Sequence, residues 1–308
     1  MAGITEVEYI WKNGEFVPWA EATTHVLSHS LHYGSGVFEG IRCYEGDGVS
    51  YVFRLQDHME RLARSCKIAQ IPLAYSVEEL VQAALDLIAK NKLKACYIRP
   101  IVYRGYGSMG VDPTDAPVDV VIAVWPWGAY LGADALEHGI KVGVSSWRQR
   151  SSNAIPPAMK STASYMNSIL AKLEAKEHGY AEAVMLNEQG FVCEGTGENI
   201  FVVRDGILST PPVSDGVLEG ITRDTVLWLA NDLDIPIVEE SLTRSDLYVA
   251  DEVFFTGSAA ELTPVSSIDN REIGKPGPIT MKLQQRFFDM VAGKIDDYAD
   301  WLTEVQTA

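Results

Sequence analysis

Hydrophobic periodicity runs through most of this 308-residue chain but stops once, over residues 125–132, and resumes near Ile140. Pro126, Gly128 and a cluster of aromatic residues fill the gap, the composition expected where few contacts cross between domains. The break predicts a small N-terminal α+β domain over 1–125, a linker over 126–135 and a larger C-terminal domain over 136–308. With 47% apolar residues each part can build a core, which excludes disorder as the dominant state.

On the N-terminal side, residues 9–17 read as a hairpin turning at Asn13-Gly14, and residues 49–54 as a strand following the Gly46-Asp47-Gly48 turn. Asp57 can cap a helix whose apolar positions Met59, Leu62, Ala63 and Cys66 recur at helical spacing. A second helix over 77–88 and strands over 95–103 and 118–125 follow. Beyond the break come a strand over 140–145, a helix over 163–178 ended by Gly179, and a hairpin of 183–186 with 191–194. A strand over 201–203, a helix after Gly220-Ile221, a strand over 252–256 and a C-terminal helix complete the α/β pattern.

Forty-two acidic against twenty-five basic residues give a formal charge of −17, which argues against a nucleic-acid or anionic-membrane partner. No window approaches the ~18 consecutive apolar residues of a membrane span, and the amino terminus lacks the basic region of a signal peptide. Cys43, Cys66, Cys96 and Cys193 have no paired spacing and read as reduced, so a cytoplasmic protein is expected.

Three motifs are misleading. Gly105-Tyr106-Gly107-Ser108-Met109-Gly110 matches a dinucleotide fingerprint, but Pro113 and Pro117 forbid the helix that must follow. His25, His29 and His32 could share a helical face, yet no carboxylate or thiol in that segment completes a metal set, so packing or hydrogen bonding is expected and no metal. Ser28, Ser30 and Ser161 lie beside His29 or Lys160, but no nucleophile elbow accompanies them.

Lys160 is more informative. It stands in Pro156-Pro157-Ala158-Met159-Lys160-Ser161-Thr162-Ala163, a lone cation among small and apolar residues, after two prolines and before a helix. Lost solvation would favour the neutral amine needed for Schiff-base chemistry. The same pattern fits an exposed lysine opening a helix, and the segment by itself does not choose.

Several separated segments appear together: Val37-Phe38-Glu39-Gly40-Ile41-Arg42, Tyr97-Ile98-Arg99-Pro100, Met109-Gly110-Val111, Glu194-Gly195-Thr196-Gly197-Glu198-Asn199, Gly220-Ile221-Thr222-Arg223 and Thr256-Gly257-Ser258-Ala259-Ala260-Glu261. In this order they make the chain resemble the branched-chain-amino-acid aminotransferases, pyridoxal-phosphate enzymes of fold type IV. The resemblance spans essentially the whole chain and implies a two-domain, D-amino-acid aminotransferase-like fold. It implies pyridoxal 5′-phosphate as cofactor, small amino acids and 2-oxoacids as substrates, and a homodimer or a hexamer built as a trimer of dimers.

By the same resemblance, Lys160 is the Schiff-base lysine, Tyr165 meets the cofactor's phenolic oxygen and Glu194 its pyridine nitrogen. Arg61, the helix start at Ile221 and Thr222, and the Thr256-Gly257-Ser258 turn would hold the phosphate. Tyr97 and the Ser258-Ala259 turn would take the substrate α-carboxylate, while Phe38, Gly40, Trp127 and Tyr130 would line an apolar pocket. Arg99 would meet the distal carboxylate of glutamate, aided by Tyr33 and the loop carrying Met109 and Val111 of a neighbouring subunit. Relatives that act on D-amino acids or amines, or that are aminodeoxychorismate lyases, are the nearest alternatives, and Arg99 with that loop favours the branched-chain group. Ser161-Thr162-Ala163-Ser164 replaces a more Gly-rich stretch in the family, which leaves fine substrate preference open.

Overall fold

The computed structural model describes residues 4–128 and 132–306. They form two compact units, neither continuous in sequence. The first holds the chain up to Gly128, the short segment Met159–Ala163 and the chain from Asp289 onward; the second holds the rest, through Phe288. The expected domain over 136–308 is therefore interrupted once, at 159–163, and ends early, at Phe288. The physical reason is strand pairing: Leu302–Val305 lies antiparallel to Ser50–Phe53, and Ser161 bridges to Val37.

The first unit is built on an eight-stranded sheet. Along it run Leu302–Val305, Ser50–Phe53, Ile41–Glu45, Cys96–Arg104, Val118–Trp125, Tyr9–Lys12 and Glu15–Pro18, with Gly36–Phe38 also paired to Cys96–Arg104. The hairpin turns where expected, with Asn13 and Gly14 both left-handed at φ 50° and 94°, the pair of conformations a two-residue turn needs. The helix Leu55–Ile68 buries Leu55, Met59, Leu62 and Cys66 against the sheet. It begins three residues earlier than the sequence indicates. Arg54 is its flanking residue, and Asp57, expected as the cap, lies in the first turn and accepts a hydrogen bond from Arg54 Nε at 2.6 Å. There its charge still favours the positive helix end. The second helix, Val77–Lys90, opens with a capping box of Ser76 and Glu79. Residues 105–110 form a loop with no helix after it, as the prolines require.

The second unit contains a nine-stranded sheet. Val192–Gly195, Glu182–Leu186, Ile140–Arg148, Glu261–Ile268, Glu252–Gly257 and Asn199–Arg204 are successive neighbours, and Val192–Gly195 also pairs with Asn199–Arg204. That extra pairing closes these strands into a ring, filled by Val142, Val184, Ile200, Val265 and Phe255. Tyr165–Glu177 and Ile221–Asp232 are the helices that carry expected site residues. Among the described residues no helix is long and apolar enough to cross a membrane, and no three metal-type side chains come together.

Candidate active site

Residues 36–40 organise the part of the site in the first unit. Phe38 N donates to the carbonyl of Lys160 at 3.0 Å, and Lys160 N donates to Ser65 Oγ at 3.2 Å. The lysine is thus fixed through its backbone by a strand and a helix, and its Nζ lies 5.4 Å from the centre of the Phe38 ring. It is partly buried, not an exposed residue opening a helix; the helix starts only at Tyr165, after a single 3-10 turn. Ser65 had no sequence signal, since nothing local links it to a residue 95 positions away.

Glu39, directly after that strand, points into the helix Leu55–Ile68. Its carboxylate is fully buried and accepts from Arg61 Nε at 2.7 Å, Arg61 Nη2 at 2.8 Å and His58 Nδ1 at 2.8 Å. Burial alone would raise this carboxyl, but Arg61 and His58 override it and hold it well below the usual carboxylate range. Burial depresses His58, and Glu39 opposes that only in part, so the imidazole is neutral at neutral pH. Arg61 is therefore a buried member of a charge cluster, while its helix neighbours Asp57 and Glu60 pair with Arg54 and Gln56.

The expected substrate residues of this unit also converge. Tyr97 and Arg99, two apart on one strand, share a face. Arg99 lies over the Phe38 ring at 4.7 Å and the Tyr97 ring at 5.2 Å, and donates from Nη2 to Tyr97 Oη at 3.3 Å. Tyr97 in turn contacts Trp125 and Trp127, with ring centres at 5.2 and 5.3 Å. Trp125 was not anticipated; it enters because it stands opposite Tyr97 in the strand register. Gly40 is required by the same wall, since a Cβ there would come within 1.9 Å of Tyr97 Oη.

Tyr33, Met109 and Val111 are exposed, Val111 by 88%. His29 ties them together: its Nε2 donates to the Gly110 carbonyl at 2.7 Å, so its Nδ1 accepts from Ser35 Oγ at 2.6 Å, and its ring packs on Tyr33 at 4.6 Å. Tyr130 lies outside the described residues.

In the second unit Glu194 leaves its strand with three neutral donors around its carboxylate. Gln149 Nε2 reaches Oε1 at 2.5 Å, while Asn199 Nδ2 and Leu218 N reach Oε2 at 3.2 and 3.1 Å. These neutral donors orient the carboxylate, and its charge also acts on the Arg150 guanidinium, where burial lowers the pKa and Glu194 opposes that shift. Gln149 carries no signal in the sequence, and Asn199, although it closes the motif that begins at Glu194, shows its hold on that carboxylate only in the fold. Asn199 also donates to the Leu218 carbonyl at 3.0 Å and so links Glu194 to the segment that opens the helix Ile221–Asp232.

No side chain caps that helix start, where Gly220 precedes buried Ile221 and Thr222. Thr256 Oγ1 and Ser164 Oγ are buried with no hydrogen-bond partner among the described residues. An unmet buried hydroxyl at a position expected to face an anion fits a missing acceptor. Gly257 ends the strand Glu252–Gly257, Ser258 and Ala259 lie in the turn after it, and Tyr165 is the first residue of its helix. A helix N-terminus, an unmet hydroxyl and an oriented carboxylate are the groups that a phosphorylated pyridinium requires, so the residues present fit pyridoxal phosphate.

The sequence matches the amino-transferase class IV family over residues 36–268. It is 48% identical to the branched-chain-amino-acid aminotransferase of Escherichia coli K12 over 303 residues, covering 97% of this chain and 98% of that one. The crystal structure of the Escherichia coli branched-chain amino acid aminotransferase superimposes with a TM-score of 0.96, over 98% of this chain and all of that one, at 48% identity. A T.th. branched-chain amino acid aminotransferase complexed with N-(5′-phosphopyridoxyl)-L-glutamate gives 0.94 at 43% identity, over 98% and 99% of the two chains. The chain therefore belongs to the amino-transferase class IV family, within its branched-chain-amino-acid aminotransferases.

Proposed function

We propose that this protein interconverts L-leucine, L-isoleucine and L-valine with their 2-oxoacids, using L-glutamate and 2-oxoglutarate as the other pair, with pyridoxal 5′-phosphate held on Lys160. The cofactor when bound supplies an electron sink for the bond broken at the substrate Cα. Lys160 anchors it and carries the proton at Cα, acting as base and then as acid. Glu194, fixed by Gln149, Asn199 and Leu218, keeps the ring nitrogen protonated. Tyr165 meets the phenolic oxygen, and Arg61, Ile221, Thr222, Thr256, Gly257 and Ser258 serve the phosphate. Tyr97, Ser258 and Ala259 receive the α-carboxylate.

One observation carries the dual-substrate reading: Arg99 lies on the faces of Phe38 and Tyr97, with its Nε buried and lacking a partner among the described residues. A ring-faced guanidinium can border a branched alkyl chain and still receive a second carboxylate. The relative bound to a phosphopyridoxyl-glutamate supports the glutamate half. The exposed Tyr33, Met109 and Val111 support completion of each site by a neighbouring subunit, in a cytoplasmic dimer or an assembly of dimers.

The test is a pair of single-turnover measurements on Arg99→Ala, one with leucine and one with glutamate. Truncating one partner of a buried charge pair costs about 2–4 kcal/mol, a loss of roughly 30- to 1,000-fold, expected with glutamate and not with leucine. Equal losses would assign Arg99 to the α-carboxylate or to the fold. Lys160→Ala, run alongside, should show no conversion, and D-leucine should be a poor substrate for the unaltered enzyme.

A further inference from the structure

We propose that Glu39 is the positioning residue for the arginine that receives the cofactor phosphate, gripping Arg61 by one edge of its guanidinium so that the other edge is presented to the anion. The inference rests on the reading of Arg61 as a phosphate ligand.

A guanidinium is a flat fork with five donors, and its two edges can serve two different anions. Glu39 occupies the edge formed by Nε and Nη2, at 2.7 and 2.8 Å. The terminal edge, toward Nη1, is directed away from that carboxylate. Glu39 is itself held: His58 Nδ1 donates to Oε2 at 2.8 Å, and the backbone N of Glu39 donates to the Pro100 carbonyl at 2.9 Å. His58 and Arg61 are three residues apart on one helix, so both face the carboxylate. All three side chains are at least 95% buried, and the carboxylate and guanidinium charges cancel while His58 is neutral. The mount therefore carries no net charge of its own before any phosphate arrives, and removing one partner would leave the other charge buried and unpaired.

The neighbouring residues show why this position is suited to the task. Phe38 is hydrogen-bonded to the Lys160 backbone, and Gly40 makes room for Tyr97 Oη. Three consecutive residues, the last of a strand and the two after it, thus set the lysine, the arginine and the tyrosine. A ligand that meets a prefixed side chain loses less freedom on binding.

The measurement is the affinity of the full-length chain, freed of cofactor, for pyridoxal phosphate and for pyridoxal, read from the visible absorbance that develops on binding. The ratio of the two isolates the phosphate. Glu39→Gln keeps the shape and removes the charge; the ratio is expected to fall about 10-fold or more, as the arginine loses its fixed orientation. A general loosening of the fold would weaken both ligands together and leave the ratio unchanged. If Arg61 stayed in place and merely lost its counter-charge, the ratio would rise. Either an unchanged or a raised ratio overturns the proposal.

Glu39→Asp, which keeps the charge but withdraws the carboxylate by one methylene, is the second variant should the first not fold, and it should lower the ratio by a smaller factor. Arg61→Ala separates the two levels of the argument. A ratio unaffected by Arg61→Ala would remove the phosphate reading and the proposal with it. A ratio lowered by Arg61→Ala but not by either Glu39 variant would leave Arg61 as the ligand and refute the positioning role.

Discussion

Gly220→Ala should damage the site although the backbone there, at φ −69° and ψ 129°, accepts alanine without strain. The added Cβ would come within 1.8 Å of Asn199 Oδ1. Asn199 is buried and holds Glu194 and the Leu218 carbonyl through its amide, so it cannot move without losing both bonds. One of those bonds goes to a charged acceptor and one to a neutral one, which together are worth about 2–4 kcal/mol. The assay is a double-mutant cycle on the stability of the cofactor-free chain, with Gly220→Ala, Asn199→Ala and the pair. Asn199→Ala alone removes the same two bonds and clears the space, so adding Gly220→Ala to it should cost almost nothing. Additive effects, within about 0.5 kcal/mol, would refute the argument. Gly197→Ala is the internal control. A Cβ there meets nothing within 4 Å, and the change should be neutral or slightly stabilising.

Two further outcomes follow from buried polar groups of the second unit. Thr256→Val removes a buried hydroxyl that has no partner among the described residues, so the cofactor-free chain should melt at the same temperature or higher, while affinity for pyridoxal phosphate falls about 10-fold or more; a lower melting temperature would show that the hydroxyl was already bonded. Burial, and after it the Glu182 carboxylate, push Glu198 up to about 8, with Lys172 opposing. The folded chain then keeps a proton that the unfolded chain releases near the ordinary 4.5, so this contribution to stability is lost as pH rises through that window. Glu198→Gln should therefore melt above the unaltered protein at about pH 9 and much closer to it at about pH 5, and the opposite order would refute the burial argument.

Much of the chain could be read locally. The Asn13-Gly14 turn, the helix Val77–Lys90 and the helix after Gly220 follow from turn chemistry and periodicity, which act over a few residues. So does the rejection of residues 105–110 as a nucleotide loop, because a proline forbids a helix wherever the chain goes. The role proposed for Lys160 rests on ordered motifs shared with a family, and its sequence neighbourhood does not reveal what holds it.

Tertiary structure alone decided the supports. Glu39 and Arg61 are 22 positions apart, Gln149 and Glu194 are 45 apart, and Lys160 and Ser65 are 95 apart. No periodic pattern relates such residues, since they meet only when strand register and helix packing bring them together. The same limit explains why residues 159–163 and the chain from Asp289 onward join the first unit. Sequence determines which segments bury an apolar face, because burial is recorded in local spacing. Which faces meet, and therefore which carboxylate holds which arginine, is a property of the packed whole, where one long-range hydrogen bond is satisfied only if many others are.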